Sequence, residues 1–329
     1  MSLPAARGPL SEWVRDVLGG PVRPVDGPRP DGDPFGEDAT LALHLCYELH
    51  YQGFPGVDPD WEWQPDLLRF RGALEREFLD ALKDGTSGGK LDDVLPELLV
   101  DESPPRGVSQ HLAEHGTWEQ VREYFIHRSI YHLKEADPHA WVIPRLRGRA
   151  KAALVAVEFD EFGGGRAEDV HAQLYADLLA ECGLSTEYLH YLDDVPAPAI
   201  ATVNMMSLFG LHRSLRSAMC GHFAAAEIGT PPSAARVLVA LERLGAGPAT
   251  RRFFAEHVEA DAVHEQIMRH DVVGRIVAEE PDQEPLLVLG IQATGLMEAR
   301  MGEHLLGCWT EDRSSLRTAI SAPGLVPTR

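Results

Sequence analysis

Three residues of metal-binding type lie at helical spacing in the stretch 247–277. His257, Asp261 and His264 stand at positions i, i+4 and i+7. At about 100° per residue, their side chains would project from one narrow stripe of a helix. Two imidazoles and a carboxylate on one stripe suit a divalent metal such as iron or manganese. The sequence therefore predicts that this stretch carries part of a metal site.

Chance limits what the shorter motif can support. The chain has 51 acidic residues and 15 histidines among 329 residues, so roughly two carboxylate-x-x-His pairs are expected at random. Requiring a further histidine four residues upstream lowers the expected number to on the order of 0.1. Asp261-x-x-His264 alone is therefore weak evidence, whereas the same pair preceded by His257 is a useful signal.

Other elements must supply the remaining ligands of such a site. Glu168-x-x-His171, just after three consecutive glycines, is a second carboxylate-x-x-His pair, predicted to open a helix with both side chains on one face. Two more carboxylates would complete the set with which helical bundles hold two iron ions. Glu135 is one candidate, and either Glu158 or Glu161 is the other. The residues by themselves leave that second choice open.

Helical periodicity extends over most of the chain, with no alternating β-branched segment flanked by hairpin turns. We therefore predict an all-α fold of eight to ten helices. Residues 1–36 are rich in proline and glycine and are predicted to form an irregular lead-in with one short helix. Residues 37–329 are predicted to form a single helical domain.

Several local signals predict where helices begin and end. Thr117-x-x-Gln120 is typical of a capping box at a helix start. Residues 199–227 are predicted to be helical with an interruption near Gly221. Thr230-Pro231-Pro232 is predicted to separate that helix from the next, at 233–244, because proline disrupts helix interiors. The segment 91–100 is predicted to be a connection.

Composition narrows the partners and the compartment. A formal net charge of −21 repels nucleic acid and anionic membrane, so neither is expected as a partner. The four cysteines lie far apart without a C-x-x-C motif, as in proteins of a reducing compartment. The sequence shows no signal peptide and no apolar run long enough to span a membrane. A cytoplasmic location is therefore expected.

The ligand candidates, taken together, resemble the pattern of the haem-oxygenase-like di-iron oxidases. In that family one helix gives a Glu, a second a Glu followed by a His, and a later helix gives His-x-x-x-Asp-x-x-His. The corresponding segments here are LKEADPH, DEFGGGRAEDVH and HVEADAVH, in the same order, and the resemblance covers about residues 110–310. It implies a haem-oxygenase-like helical bundle with extra N-terminal helices. Its implied metal ligands are Glu135, Glu161, His171, His257, Asp261 and His264, and its ten-residue step to the His favours Glu161 over Glu158.

The resemblance also implies two iron ions, O₂ as co-substrate and oxidation of a small molecule. Electrons are expected from an external donor, because the chain has no flavin or nicotinamide fingerprint. Glu168 resembles the extra carboxylate of the N-oxygenating members, three residues before the His, and is predicted to be a further iron ligand with a catalytic role. Its alternative interpretation is an exposed acid favoured by the helix dipole.

The predicted reaction is N-oxygenation of an amine or amino acid in a biosynthetic pathway. The alternatives are desaturation or C–C cleavage of an amino acid or fatty acid, and a non-catalytic helical metal-binding protein. An amino-acid substrate would require a cation for its carboxylate, and Arg128, Arg213 and Arg216 are the candidates. The sequence does not fix the oligomeric state, so a homodimer stays open.

Overall fold

The computed structural model describes residues 3–98, 107–259 and 261–318, without the side chains of residues 259–262. These residues form helices and connecting turns with no strand among them. The predicted all-α class is confirmed. Within the described part of the chain, no helix has the length and apolar character needed to cross a membrane.

The first five helices precede the segment where the ligand candidates begin. They are α1 (Pro9–Leu18), α2 (Glu37–Glu48), α3 (Pro65–Asp84), α4 (Leu91–Leu98) and α5 (Val108–Glu114). The apolar residues of α1 recur at i, i+4, i+7 and i+8, so Leu10, Val14, Val17 and Leu18 are buried along one face. That face packs against α2. The segment 91–100, predicted to be a connection, contains α4, because Leu91 and Val94 bury one face of a helical turn.

The central helices carry the upstream ligand candidates. They are α6 (Trp118–His132), α7 (Asp137–Ala140), α8 (Gly148–Glu161), α9 (His171–Glu181) and α10 (Ala197–Leu211). The capping box at the start of α6 is present: the Thr117 side chain accepts from the backbone N–H of Gln120, whose side chain accepts from the backbone N–H of Thr117. Glu135 follows the end of α6, and Glu161 and His171 are the last residue of α8 and the first of α9.

The C-terminal helices carry the remaining candidates. They are α11 (Arg216–Arg243), α12 (Pro248–Glu259), α13 (Asp261–Gln266), a π-helical segment (Ile267–Val273), α14 (Gly274–Glu279) and α15 (Glu284–Thr310). The stretch 247–277 is therefore divided between α12, α13, the π-helical segment and the start of α14. His257 lies on α12 and His264 on α13, on either side of residue 260, which is outside the described residues.

Two predictions about the 199–244 region are wrong. The break falls at residues 212–215, between α10 and α11, and not near Gly221. Gly221 instead lies where α11 crosses α15: a β-carbon there would overlap the Leu287 carbonyl, and one at Gly290 would overlap the Ala218 carbonyl. The helix also continues through Pro231 and Pro232. Pro231 has no N–H for the carbonyl of Glu227, four residues earlier, so α11 lacks that backbone hydrogen bond.

A contiguous apolar core joins these helices. It includes buried side chains of the N-terminal helices, such as Val14 and Leu41, together with Met219 of α11 and Ile291 of α15. The predicted division between an irregular lead-in, residues 1–36, and a helical domain, residues 37–329, stays a prediction. Side chains of α1, which lies before residue 37, belong to the same core.

Candidate metal centre and adjoining cavity

Sharp turns place the upstream ligand candidates at helix ends. Ala136, directly after Glu135, has a φ of 71°, a left-handed conformation that a non-glycine residue adopts only when its surroundings impose it. Gly163, two residues after Glu161, has a φ of 73°. A β-carbon on Gly163 would lie 2.6 Å from the backbone nitrogen of Val170. The glycine turn therefore folds back onto the residue before His171, which brings Glu161 and His171 together.

The first group of ligand-type side chains consists of Glu135, His171 and His257. Each offers an oxygen or nitrogen within 4.8 Å of the others, and all three side chains are buried. His257 donates its Nδ1–H to the carbonyl oxygen of Phe253 at 2.7 Å. This bond places the ring proton on Nδ1, and Nε2 lies 3.7 Å from Glu135 Oε1.

The second group consists of Glu161, Glu227 and His264, again buried and within 4.8 Å of one another. His264 Nδ1 lies 3.2 Å from Glu227 Oε2 and 3.8 Å from Glu161 Oε1. On the other side of the ring, Nε2 lies 3.1 Å from the carboxylate of Asp160. A carboxylate behind a metal-binding imidazole is the usual way to orient the ring and raise its basicity.

Glu161 connects the two groups. Its Oε2 lies 2.8 Å from His171 Nδ1, in the first group, and its Oε1 faces His264 in the second. A carboxylate with one oxygen towards each group is the arrangement of a ligand that bridges two metal ions. The two groups therefore form one contiguous cluster of ligand-type side chains that share Glu161.

Glu227 was not predicted from the sequence. It lies on α11 in the segment FAAAEIG, without a histidine three residues later, at the last position of the helix predicted over residues 199–227. The available signal was a lone acid in an apolar helix. Burial, together with the nearby Glu161, raises the pKa of Glu227 to about 7. Burial alone would lower the pKa of His264, but its contacts with Glu227 and Asp160 raise it to about 9.

The other predicted ligands have different positions. Glu168 is exposed on a 3₁₀ turn at Ala167–Asp169, and α9 begins only at His171. The prediction that Glu168 and His171 share one face of a helix is therefore wrong, while the ligand role of Glu168 stays a prediction. Asp261 is the first residue of α13, but its side chain lies outside the described residues.

Glu158, the alternative to Glu161, is buried close to the centre but belongs to neither group. Both its carboxyl oxygens lack a hydrogen-bond partner among the described residues. Burial, reinforced by Glu161 and Glu227, raises the pKa of Glu158 to about 9. Glu158 is therefore a neutral acid at neutral pH in the metal-free protein.

His132 supports the first group from behind. Its Nδ1 lies 2.8 Å from Glu135 Oε1, and its ring packs against Tyr175 and Phe253 at centroid distances of 4.6 and 5.1 Å. Burial would raise the pKa of Glu135, but the adjacent His132 and His257 hold it well below its usual range. Glu135 is therefore an ionised carboxylate with one oxygen held in place.

A cavity of about 240 Å³ adjoins the centre and is bordered by Glu135, Glu161, Glu227 and His257. That volume corresponds to about eight water molecules, the scale of a small organic molecule. Its wall also includes Arg128, one of the three arginines proposed to bind a substrate carboxylate. Arg213 is exposed and Arg216 pairs with Glu280, and neither borders this cavity. The fold thus favours Arg128 among the three arginines, a choice that the sequence left open.

Comparison with known proteins places the chain in a family. No curated protein matches it. The family model described as iron-containing redox enzyme matches residues 122–299, more than half of the chain. The match includes all six residues of the predicted ligand pattern as well as Glu227. The chain belongs to this family of iron-containing redox enzymes.

Proposed function

We propose that the chain is a non-haem di-iron oxygenase that uses O₂ to oxidise the nitrogen of a small amine, either an amino acid or a derivative of one. The observation that carries the proposal is the position of Glu161 between the two groups, Glu135–His171–His257 and Glu227–His264. Family membership supports iron-dependent redox chemistry. The N-oxygenation and the number of irons go beyond that support.

The residues present fit two bound cations. Glu135 Oε2 is buried and has no hydrogen-bond partner among the described residues. No lysine or arginine of the described chain forms an ion pair with Glu135, Glu161 or Glu227; their charged neighbours are histidines. Buried carboxylates without cations are strongly disfavoured. Iron ions at this place would supply that charge and the redox capacity for activating O₂.

The protein's own residues have three tasks in this proposal. The Phe253 carbonyl and Asp160 orient His257 and His264, so that each ring presents one defined nitrogen to the centre. His132 holds one oxygen of Glu135. The adjoining cavity holds the substrate against the centre, which favours reaction by proximity.

The reaction balances with the electrons of two ferrous ions. An amine, O₂, two protons and two electrons would give a hydroxylamine and water, and two bound ferrous ions would supply both electrons. One turnover therefore needs no other protein, whereas repeated turnover needs an external electron donor. Glu168 enters the proposal as an additional anionic ligand next to His171. Its exposed position requires the 3₁₀ turn at 167–169 to move towards the centre when iron binds.

A single-turnover experiment tests the proposal. Protein loaded anaerobically with ferrous iron is mixed with O₂ and a panel of amino acids and amines, and the products are identified by mass with isotopically labelled O₂. We expect close to two irons per chain and a product with labelled oxygen on nitrogen. His257→Ala should abolish both, whereas Asp177→Asn, an exposed change on α9, should alter neither.

Other products would redirect the proposal. An alkene, an aldehyde or released ammonia without any N-oxygenated product would indicate desaturation or C–C cleavage. Rapid O₂ consumption that is independent of every substrate in the panel would favour a non-catalytic metal-binding role. Full iron occupancy in His257→Ala would place the metal site elsewhere.

A further inference from the structure

The cavity wall contains an ion pair that belongs to neither metal-binding group. Arg128 of α6 donates from its two terminal nitrogens to the two carboxylate oxygens of Glu298 of α15, at 2.7 and 2.5 Å. Both residues border the cavity, and their side chains are 24% and 43% exposed. Each terminal nitrogen of a guanidinium carries two N–H groups, so this pair uses only half of them. Arg128 Nε is buried and has no partner among the described residues.

A third polar group in the same wall has a defined protonation state. The hydroxyl of Thr294 donates its single hydrogen to the Gly290 carbonyl at 2.7 Å. It must therefore accept at its contact with His222 Nδ1, 2.8 Å away, so the proton of His222 is on Nδ1. Burial lowers the pKa of His222 to about 4. Its Nε2 is then a buried hydrogen-bond acceptor without a partner among the described residues.

We infer that Arg128, Glu298 and His222 form a binding site for the head group of an α-amino acid whose reacting nitrogen lies on its side chain. This inference rests on the proposed function. The unused N–H groups of Arg128 bind the α-carboxylate, and Glu298 and the His222 Nε2 lone pair accept hydrogen bonds from the α-ammonium. Thr294 is a positioning residue that fixes the His222 tautomer.

Charge favours a zwitterion over either simpler ligand. Arg128 and Glu298 together carry no net charge, so a lone carboxylate at Arg128 would be repelled by Glu298, and a lone ammonium at Glu298 by Arg128. A head group with both charges complements both members of the pair. The buried unpaired donor and acceptor of the wall also gain partners, and leaving such groups unpaired is unfavourable.

Distances along two helices determine which nitrogen meets the metal-binding groups. Arg128 precedes His132, the last residue of α6, by four residues, about 6 Å along the helix axis, and Glu135 lies three residues further on, in the turn. On α11, His222 precedes Glu227 by five residues, about 7.5 Å. Both estimates place the metal-binding residues further along the chain than the head-group residues, and the α-ammonium is already held by Glu298 and His222 in this assignment. The side chain of the bound amino acid must cover that distance, so its terminal nitrogen is the atom that arrives at the centre.

Binding measurements with truncated ligands test this inference. Calorimetry on the anaerobic ferrous protein compares L-lysine with 1,5-diaminopentane, which lacks the carboxylate, and with 6-aminohexanoate, which lacks the α-amine. The same comparison is made for L-ornithine and L-norleucine with their decarboxylated amines. We expect each truncation to weaken binding about 10- to 100-fold, the usual effect of losing a hydrogen bond to a charged group. L-norleucine should bind but give no oxidised product.

Single-residue variants test which part of the head group each residue binds. Arg128→Gln should reduce lysine affinity to that of 1,5-diaminopentane and leave the diamine unaffected. Glu298→Gln should reduce the affinity for lysine towards the affinity for 6-aminohexanoate. Thr294→Val should weaken binding only of ligands with an α-amine, a pattern that general loss of structure would not produce. Arg213→Gln, at an exposed arginine away from the cavity, should match the wild type.

Two results would overturn the inference. One is that no α-amino acid in the series binds more tightly than its decarboxylated or deaminated analogue. The other is that the differences between these ligands persist in Arg128→Gln and Glu298→Gln. These results can be distinguished from a failure of the proposed function. Binding that depends on the head group but gives no N-oxygenated product contradicts only the proposed reaction. N-oxygenation that does not depend on Arg128 contradicts only the head-group site.

Discussion

Lys134 and Glu48 form an ion pair in which both side chains are completely buried. The other oxygen of Glu48 accepts a hydrogen bond from the Tyr188 hydroxyl at 2.5 Å, and the Lys134 ammonium lies 4.1 Å from the ring centroid of Tyr51. Lys134 directly precedes Glu135. The pair therefore ties α2, in the N-terminal part of the chain, to the turn that positions a predicted iron ligand.

Breaking this pair from one side should be strongly destabilising. We expect Lys134→Met to lower the free energy of unfolding by about 3–5 kcal/mol, because Glu48 would be left as an uncompensated buried charge. The double variant Lys134→Met with Glu48→Leu should recover a large part of the loss. Urea unfolding of the single and double variants measures both effects. A loss below about 1 kcal/mol for Lys134→Met would show that the pair is not buried as described.

Asp160 is expected to act on iron through His264. Asp160→Asn removes the carboxylate behind Nε2 of the ring, so the affinity for ferrous iron should fall about 10- to 100-fold. Competition with a chelator under anaerobic conditions measures the change, with Asp177→Asn as the matched control. Equal affinities in both variants would mean that Asp160 has no part in orienting His264.

Glu161 and Glu158 lie one helical turn apart and should respond in opposite ways to the same substitution. Glu161→Gln should reduce iron occupancy at both positions, because it removes the carboxylate shared by the two groups. Glu158→Gln should retain both irons, since Glu158 belongs to neither group. Iron analysis after anaerobic loading distinguishes these outcomes. If only Glu158→Gln lost iron, Glu158 and not Glu161 would be the ligand shared by the two groups.

Glu158 also predicts a pH effect on the metal-free protein. Its pKa of about 9 in the folded state is above the ordinary value, so the folded protein retains a proton that the unfolded chain releases. Its stability should therefore decrease as pH rises from about 5 to 9. Glu158→Gln should remove this part of the slope and raise the free energy of unfolding at pH 8 by on the order of 1–3 kcal/mol. Parallel slopes for the two proteins would contradict the prediction.

Glu227 and Glu168 provide a second contrast. Glu227→Gln should lower iron content from near two towards one per chain, because Glu227 belongs to the second group. Glu168→Ala should leave the iron content unchanged but reduce N-oxygenated product, if the turn at 167–169 brings its carboxylate to the centre. Normal product from Glu168→Ala would exclude that role, and full iron content in Glu227→Gln would remove Glu227 from the ligand set.

Iron binding should release protons. Glu227 and His264, with pKa values of about 7 and 9 in the metal-free protein, must both be deprotonated to bind iron. The affinity should therefore increase with pH between about 6 and 9, by up to about tenfold per pH unit for each proton released. Calorimetry in two buffers of different ionisation enthalpy counts those protons. A pH-independent affinity would contradict the ligand assignment.

The sequence was sufficient for the helical class, and the described members of the predicted ligand pattern lie close together in the fold. Glu135, Glu161, His171, His257 and His264 lie close in space because turns and glycines put three of them at helix ends. Glu227 was absent from the predicted ligand set because a single acid on a long helix has no motif around it. The prediction for Glu168 assumed a helix from residue 167, whereas the glycine turn and the 3₁₀ turn delay α9 until His171.

Long-range relations of other kinds had no sequence signal. Arg128 differs from Arg213 and Arg216 as a candidate for binding a substrate carboxylate because it borders the cavity. That position depends on the contact of Arg128 on α6 with Glu298 on α15. Similarly, the continuation of α11 through Pro231 and Pro232 depends on tertiary packing, which overrides the local preference of proline. Both cases involve contacts between elements distant in the chain.

The close crossing at Gly221 and Gly290 has a consequence for how this protein can evolve. These glycines allow α11 and α15 to touch, and those helices carry Glu227 and Glu298, which both border the cavity. Side chains of the wall, such as Ala225 and Ser233, can be exchanged one at a time to admit a different ligand. A methyl group at either glycine would instead separate the two helices and displace both carboxylates at once. Substitutions in the wall can therefore alter the ligand without moving the helices, whereas a side chain at either glycine of the crossing would move both.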